Sequence, residues 1–82
     1  MSGPIDILVP EFGHGLTDAL VVEWLVSVGD DVERGDVVAV LETDKSSVDL
    51  TAEKSGTIAE IVVAARSITT SGAVLYKLDE KR

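Results

Sequence analysis

Cysteine is absent from this chain, so neither a disulfide nor a thiolate metal site can contribute to its fold. Histidine occurs once, at His14, which excludes a Cys–His catalytic pair and a cluster of histidine metal ligands. Trp24, Tyr76 and Phe12 are the only aromatic residues, so any core must be built from aliphatic side chains. Basic residues are scarce as well: 7 Lys and Arg stand against 15 Asp and Glu, for a net charge of −8. A nucleic-acid binder needs a basic patch, and an anionic membrane surface attracts basic segments; neither feature is present. No apolar run reaches the length of a membrane-crossing helix. The start, Met1-Ser2-Gly3-Pro4-Ile5-Asp6, lacks the basic-then-apolar pattern of a signal peptide. The expectation is a cytoplasmic or organelle-lumen setting.

What is present suits a small β domain. The 82 residues predict one domain, spanning 1–82 with a core at about 5–79. Apolar residues make up 45% of the chain, and the prominence of Val and Ile among them favours strands over helices. Period-two rows replace helical periodicity. Ile5, Ile7 and Val9 alternate up to Pro10. Leu20, Val22, Trp24, Val26 and Val28 form one row, Val37, Ala39 and Leu41 another. Val48, Leu50 and Ala52 follow, then Ile61 and Val63, then Val74, Tyr76 and Leu78. Turn residues separate the rows at Gly29-Asp30, Arg34-Gly35-Asp36, Ser55-Gly56 and Ser71-Gly72. Many short strands with regular turns predict an all-β sandwich or small barrel.

The two halves resemble each other. A shift of 37 residues puts Glu23 on Glu60, Trp24 on Ile61, Val26 on Val63, Gly35 on Gly72, Val37 on Val74 and Leu41 on Leu78. The phase of the glycine with two apolar rows favours a structural repeat over the self-matching of any Val-rich chain. Ile5-Asp6-Ile7 instead matches Val48-Asp49-Leu50 at a shift of 43, so the first loop is about six residues longer than its counterpart. The extra stretch is Glu11-Phe12-Gly13-His14-Gly15-Leu16, and an inserted, glycine-rich loop suits recognition better than simple connection.

Between the halves lies Leu41-Glu42-Thr43-Asp44-Lys45-Ser46-Ser47-Val48. Turn-forming residues flanked by apolar strand positions predict a hairpin over about 39–51 with Asp44-Lys45 at its tip. Lys45 is the first lysine of the chain. Position alone makes it an ordinary solvated lysine. No catalytic constellation accompanies it: Ser46 and Ser47 have no neighbouring base in the sequence, His14 reads as an exposed loop residue, and Trp24 reads as packing.

Val22-Glu23-Trp24-Leu25-Val26, Gly29-Asp30, Val32, Gly35-Asp36 and Glu42-Thr43-Asp44-Lys45, in that order, resemble the lipoyl domains of 2-oxo acid dehydrogenase acyltransferases. Pro10, Gly13, Gly15 and Leu16-Thr17 fit the opening of that family, and Ser55-Gly56-Thr57-Ile58-Ala59-Glu60-Ile61 fits its second half. The resemblance implies a flattened β-barrel of two four-stranded antiparallel sheets related by a pseudo-twofold axis. It implies lipoic acid in amide linkage to Lys45, with Asp44 and Ser46 shaping the turn and read by partners; Asp44 is expected to act first on turn geometry. The loop Glu11, Phe12, Gly13, His14, Gly15 and Leu16 matches the family's partner-recognition loop. The implied role is a carrier without its own active site. It would shuttle acyl groups and reducing equivalents among a thiamin-diphosphate decarboxylase, an acyltransferase core and a dihydrolipoamide dehydrogenase, after modification by a lipoate ligase or transferase. The isolated domain is expected to be monomeric, in the bacterial cytoplasm or, in a eukaryote, the mitochondrial matrix.

Arg66-Ser67 departs from the family's usual Gly-Asp, and Ile68-Thr69-Thr70-Ser71 is more polar than usual, which leaves strand pairing there less certain. Three alternatives compete. A biotinyl domain shares the fold, but that family flanks its lysine with methionine, and Met1 is the only methionine here. An unmodified barrel-hairpin module has no need of Lys45, and a glycine-cleavage carrier is normally longer. The chain lacks the linker and catalytic domain of a whole acyltransferase. The expectation is therefore an N-terminal domain of one, with a free-standing carrier as the alternative.

Overall fold

The computed structural model describes residues 3–11, 18–44 and 46–80, all as strands and connections without a helix. The strands are β1 (Ile5–Leu8), β2 (Asp18–Trp24), β3 (Asp31–Val32), β4 (Val37–Glu42), β5 (Ser47–Thr51), β6 (Gly56–Ile61), β7 (Ile68–Thr70) and β8 (Val74–Glu80). They form two four-stranded sheets, ordered β1-β8-β6-β3 and β5-β4-β2-β7, with every pairing antiparallel. The fold class expected from the sequence is the one observed.

The order of strands states the symmetry. Replacing each strand of the first sheet by its repeat partner (β1 by β5, β8 by β4, β6 by β2, β3 by β7) reproduces the second sheet. The equivalence extends to single hydrogen bonds. The Gly29 amide donates to the Ile58 carbonyl at 2.8 Å, and the Arg66 amide donates to the Val21 carbonyl at 2.6 Å. Leu25 donates to Val38 at 2.8 Å as Val62 donates to Leu75 at 3.1 Å. Gly35 donates to Ala52 as Gly72 donates to Val9. Gly35 and Gly72 share a left-handed backbone, with φ of 97° and 88°, which explains why both halves place glycine there.

Between the sheets lies an aliphatic core including Val21, Val38, Leu41, Ile58, Leu75 and Leu78, all fully buried. Trp24, partly buried against this core, meets the buried Tyr76 edge to face, with ring centroids 5.8 Å apart and planes at 85°. The Trp24 indole N–H donates to the Val63 carbonyl at 2.9 Å, tying β2 of one sheet to the segment after β6 of the other. This agrees with the packing role expected for Trp24.

The continuous row expected from Leu20 to Val28 does not form. Ala19 and Val21 are the buried positions of β2, Leu20 and Val22 are half-buried, and Val28 is exposed. The β2–β4 register shifts between Val21 and Glu23, so a bulge reverses the inward phase before Trp24. Its repeat partner shifts the β6–β8 register between Ile58 and Glu60. A second symmetric pair of shifts lies at Ile7/Leu8 and Val37/Ala39, and there two consecutive residues, Val38 and Ala39, are buried while Val37 is not. Period-two counting fails at bulges because the extra residue flips every later side chain.

The departures noted around residues 66–71 do not abolish pairing. β7 pairs with β2 through Asp18↔Thr70, Ala19↔Thr69 and Leu20↔Ile68. Only Thr69 of β7 points into the core, so one buried residue suffices to seat the strand.

Candidate functional site

The hairpin between the two halves is formed by β4 and β5. Leu41 pairs with Val48 and Glu42 with Ser47, which leaves residues 43–46 to reverse the chain. The Thr43 amide donates to the Ser46 carbonyl at 2.8 Å and the Thr43 hydroxyl donates to the same oxygen at 3.0 Å. The Ser46 amide donates back to the Thr43 hydroxyl oxygen at 3.2 Å. A threonine side chain thus closes the turn, an ST-type arrangement that fixes the backbone on both sides of residues 44 and 45. Leu41 and Leu50, both buried, anchor the two strands beneath it.

Asp44 and Ser46 are exposed on either side of the tip. Lys45 lies outside the described residues. Among the described residues, the hydrogen bonds that close the turn run through Thr43, a residue the sequence reading did not single out. Its signal was available: a hydroxyl residue three positions before Ser46 in a turn-rich run. Of the proposed recognition loop, Glu11 is exposed just beyond Pro10. Phe12, Gly13, His14, Gly15 and Leu16 lie outside the described residues.

The surroundings of the tip are acidic and partly apolar. A shallow depression of about 290 Å³ adjoins it, lined by Asp18, Leu20, Glu42, Thr43, Asp44 and Ile68 among others. A larger one, about 740 Å³, lies elsewhere, between the Arg34-Gly35 turn, residues 51–55 and Glu80. It contains the exposed Lys54–Glu80 ion pair at 3.4 Å, a surface contact of little energetic weight. Among the described residues, no three His, Asp or Glu side chains gather into a metal-binding group. Among the described residues no helix is long and apolar enough to cross a membrane.

A group held by an amide bond needs an amine at a fixed backbone position with open space around it. The turn meets this requirement: its root is hydrogen-bonded, its flanking side chains are exposed, and the depression beside it is shallow. The described residues on either side of position 45 are compatible with a covalently attached group there.

Comparison with known proteins agrees with this geometry. The family model for biotin/lipoyl domains, described as "Biotin-requiring enzyme", matches residues 5–78. The chain is 35% identical over 71 residues to the dihydrolipoyllysine-residue acetyltransferase component of the pyruvate dehydrogenase complex of Staphylococcus aureus. It is 34% identical over the same length to that of Staphylococcus epidermidis. In each case the match covers 87% of this chain and 16% of the relative, so the chain spans about a sixth of the length of these relatives. The solution structure of the lipoyl domain of the 2-oxoglutarate dehydrogenase complex from Azotobacter vinelandii superposes with a TM-score of 0.77 at 37% identity, covering 95% of this chain and 99% of that one.

Proposed function

The chain belongs to the biotin/lipoyl family, and we propose that it is a lipoyl carrier domain of a dihydrolipoamide acyltransferase, with Lys45 as the attachment residue. The observation that carries the reading is the hydrogen-bonded turn at residues 43–46, which joins two symmetric halves and has a lysine in its two-residue tip. The similarity to a lipoyl domain over nearly the full chain supports lipoate over biotin, as does the absence of methionine beside the lysine.

When bound, lipoate supplies the disulfide–dithiol chemistry that takes up acyl groups and electrons; the chain supplies position. The Thr43 bonds hold the backbone on either side of residues 44 and 45, and the flanking Asp44 and Ser46 side chains are exposed. Tethering raises the local concentration of the arm at each partner site without new contacts. Acylation of the lysine removes one positive charge and makes the net charge of −8 one unit more negative. The partners in this reading are a thiamin-diphosphate decarboxylase, the acyltransferase core, a dihydrolipoamide dehydrogenase and a lipoate ligase or transferase. The setting is the bacterial cytoplasm or the mitochondrial matrix.

The test is to express the chain with lipoate and a lipoate ligase and to measure intact mass, followed by peptide mapping. A lipoyl increment that disappears in Lys45→Ala is expected. A biotin increment, or an unmodified chain beside a positive control for the ligase, overturns the reading.

A further inference from the structure

The tip of the β4–β5 hairpin reverses the chain without glycine. Tight two-residue hairpins favour turns whose first central residue has a positive φ, because that backbone matches the twist of the flanking strands. Among the described non-glycine residues Arg66 alone has a positive φ, so Asp44, the first residue of this tip, does not adopt such a turn. Two other turns are built differently. Residues 27–30 and 33–36 contain left-handed glycines, Gly29 and Gly35, and the carboxylates of Asp30 and Asp36 accept the first amide of each turn. At the hairpin tip the central positions are Asp44 and Lys45, and neither is a glycine.

A hydroxyl supplies what this backbone lacks. A β-turn is commonly closed by a bond from its last amide to its first carbonyl. Here the Ser46 amide donates to the Thr43 hydroxyl oxygen at 3.2 Å, and the same hydroxyl donates to the Ser46 carbonyl at 3.0 Å. The Thr43 amide donates to that carbonyl at 2.8 Å, so two of these three bonds run through one side chain. Both side-chain bonds are exposed, so each adds only modestly against water and the closed turn depends on their sum. Without the hydroxyl, one of the three bonds remains across a turn that the twist of the strands does not favour.

We propose that Thr43 is a positioning residue for modification: its hydroxyl holds the tip in the conformation in which a lipoate ligase or transferase accepts Lys45. The inference rests on the lipoyl-carrier reading. Thr43 touches no reacting atom and acts through the backbone on either side of residues 44 and 45. The modifying enzyme binds the chains whose turn is closed, so a chain that closes less often shows an apparent affinity reduced by that fraction. The effect therefore falls on KM. The value of kcat, set by chains already bound, is unchanged.

The experiment measures steady-state kinetics of a lipoate ligase with the unmodified chain as substrate, read by intact mass. Amide hydrogen exchange of the same unmodified chain is followed by NMR. Thr43→Val keeps the branched shape and loses the hydroxyl, whereas Thr43→Ser keeps the hydroxyl. Thr43→Val should raise KM about five- to tenfold at unchanged kcat, the scale of one or two modest hydrogen bonds, and should speed exchange of the Ser46 amide. Thr43→Ser should return both to their wild-type values. Thr57→Val is the control for loss of an exposed hydroxyl, since it deletes the 2.8 Å bond to Asp31 on the other sheet; it should leave KM and Ser46 exchange unchanged. An unchanged KM or unchanged Ser46 exchange in a folded Thr43→Val overturns the proposal. So does a Thr43→Ser variant as impaired as Thr43→Val, or an equal rise in KM in Thr57→Val, which would trace the effect to stability alone. A wild-type chain that takes no lipoyl group refutes the carrier reading itself, whereas a wild-type chain modified with the same KM as Thr43→Val refutes this inference alone.

Discussion

Arg66 occupies a backbone conformation that its side chain disfavours, and replacing it by glycine should stabilise the domain. Its φ is 74°, whereas its repeat partner Gly29 has a φ of 96°. Both residues make the same amide bond into the opposite sheet, to Val21 and to Ile58. Both precede the same turn bond, Ser67 to Ala64 at 3.3 Å and Asp30 to Ser27 at 3.0 Å. The first half thus uses glycine for a left-handed turn that the second half builds with arginine. A left-handed residue with a β-carbon costs about 1–2 kcal/mol, and glycine returns roughly 0.5–1 kcal/mol of that through the greater freedom of the unfolded chain. Arg66→Gly should therefore gain about 0.5–1 kcal/mol, or about 2–8 °C in Tm for a domain of this size.

The charge must be separated from the backbone. Arg66→Gly also removes a cation from an acidic chain, so Arg66→Ala serves as the control: it loses the charge and keeps the β-carbon. At moderate salt it should change stability by no more than about 0.5 kcal/mol, the usual range for exposed positions. The reciprocal change, Gly29→Ala, has open space for the new β-carbon, with no atom within 4 Å, so its cost is the backbone strain of about 1–2 kcal/mol less the roughly 0.5–1 kcal/mol gained from a less free unfolded chain, a net loss of about 0.5–1 kcal/mol. Urea unfolding followed by Trp24 fluorescence measures all three. If Arg66→Gly is neutral or destabilising while Gly29→Ala costs the expected amount, the strain argument at Arg66 is wrong.

Two further positions give clear expectations. Tyr76 is fully buried and its hydroxyl has no hydrogen-bond partner among the described residues. Tyr76→Phe should therefore raise stability by about 1 kcal/mol in thermal unfolding, and a loss of more than that would reveal a bond to the hydroxyl. Burial, and then the charge of Glu53, push the Tyr76 phenol above its ordinary value of 10.0. The neutral phenol is favoured in the fold, so its contribution is intact below pH 10 and is lost as pH rises through the elevated value. Tyr76→Phe should flatten that alkaline decline in stability, and an unchanged profile would assign the decline to other groups. Gly56 opens β6 against the backbone of β8, and an added β-carbon would collide with the Asp79 carbonyl oxygen and lie 3.0 Å from the Glu80 Cα. Gly56→Ala should cost about 1–3 kcal/mol, read as a fall in the urea midpoint with an unchanged slope; a midpoint at the wild-type value would refute the close approach.

How much of this was legible beforehand follows from what the repeat does and does not constrain. Matching residues at a shift of 37, with glycine in phase, encode two copies of one strand path, and the observed strand order follows from that. The bulges were not legible, because nothing local distinguishes the extra residue at Val22 from an ordinary strand position; only the cross-strand partner reveals it. The polar stretch at residues 68–71 suggested weak pairing, yet backbone bonds repeated from the first half hold β7 in place with one buried threonine. The site was legible as a turn from Asp44, Lys45 and Ser46, whereas Thr43 required knowledge of which side chain faces the turn. The surface beside it was hidden for a different reason. Leu20 and Ile68 are 48 positions apart in sequence and belong to different halves, so only the β2–β7 register makes them neighbours. Where the halves agree, the residues maintain the fold. Where the scaffold repeats but the outward side chains do not, as at Leu20 against Thr57, Ile68 against Asp31 and Val40 against Lys77, fold maintenance gives no reason for the difference.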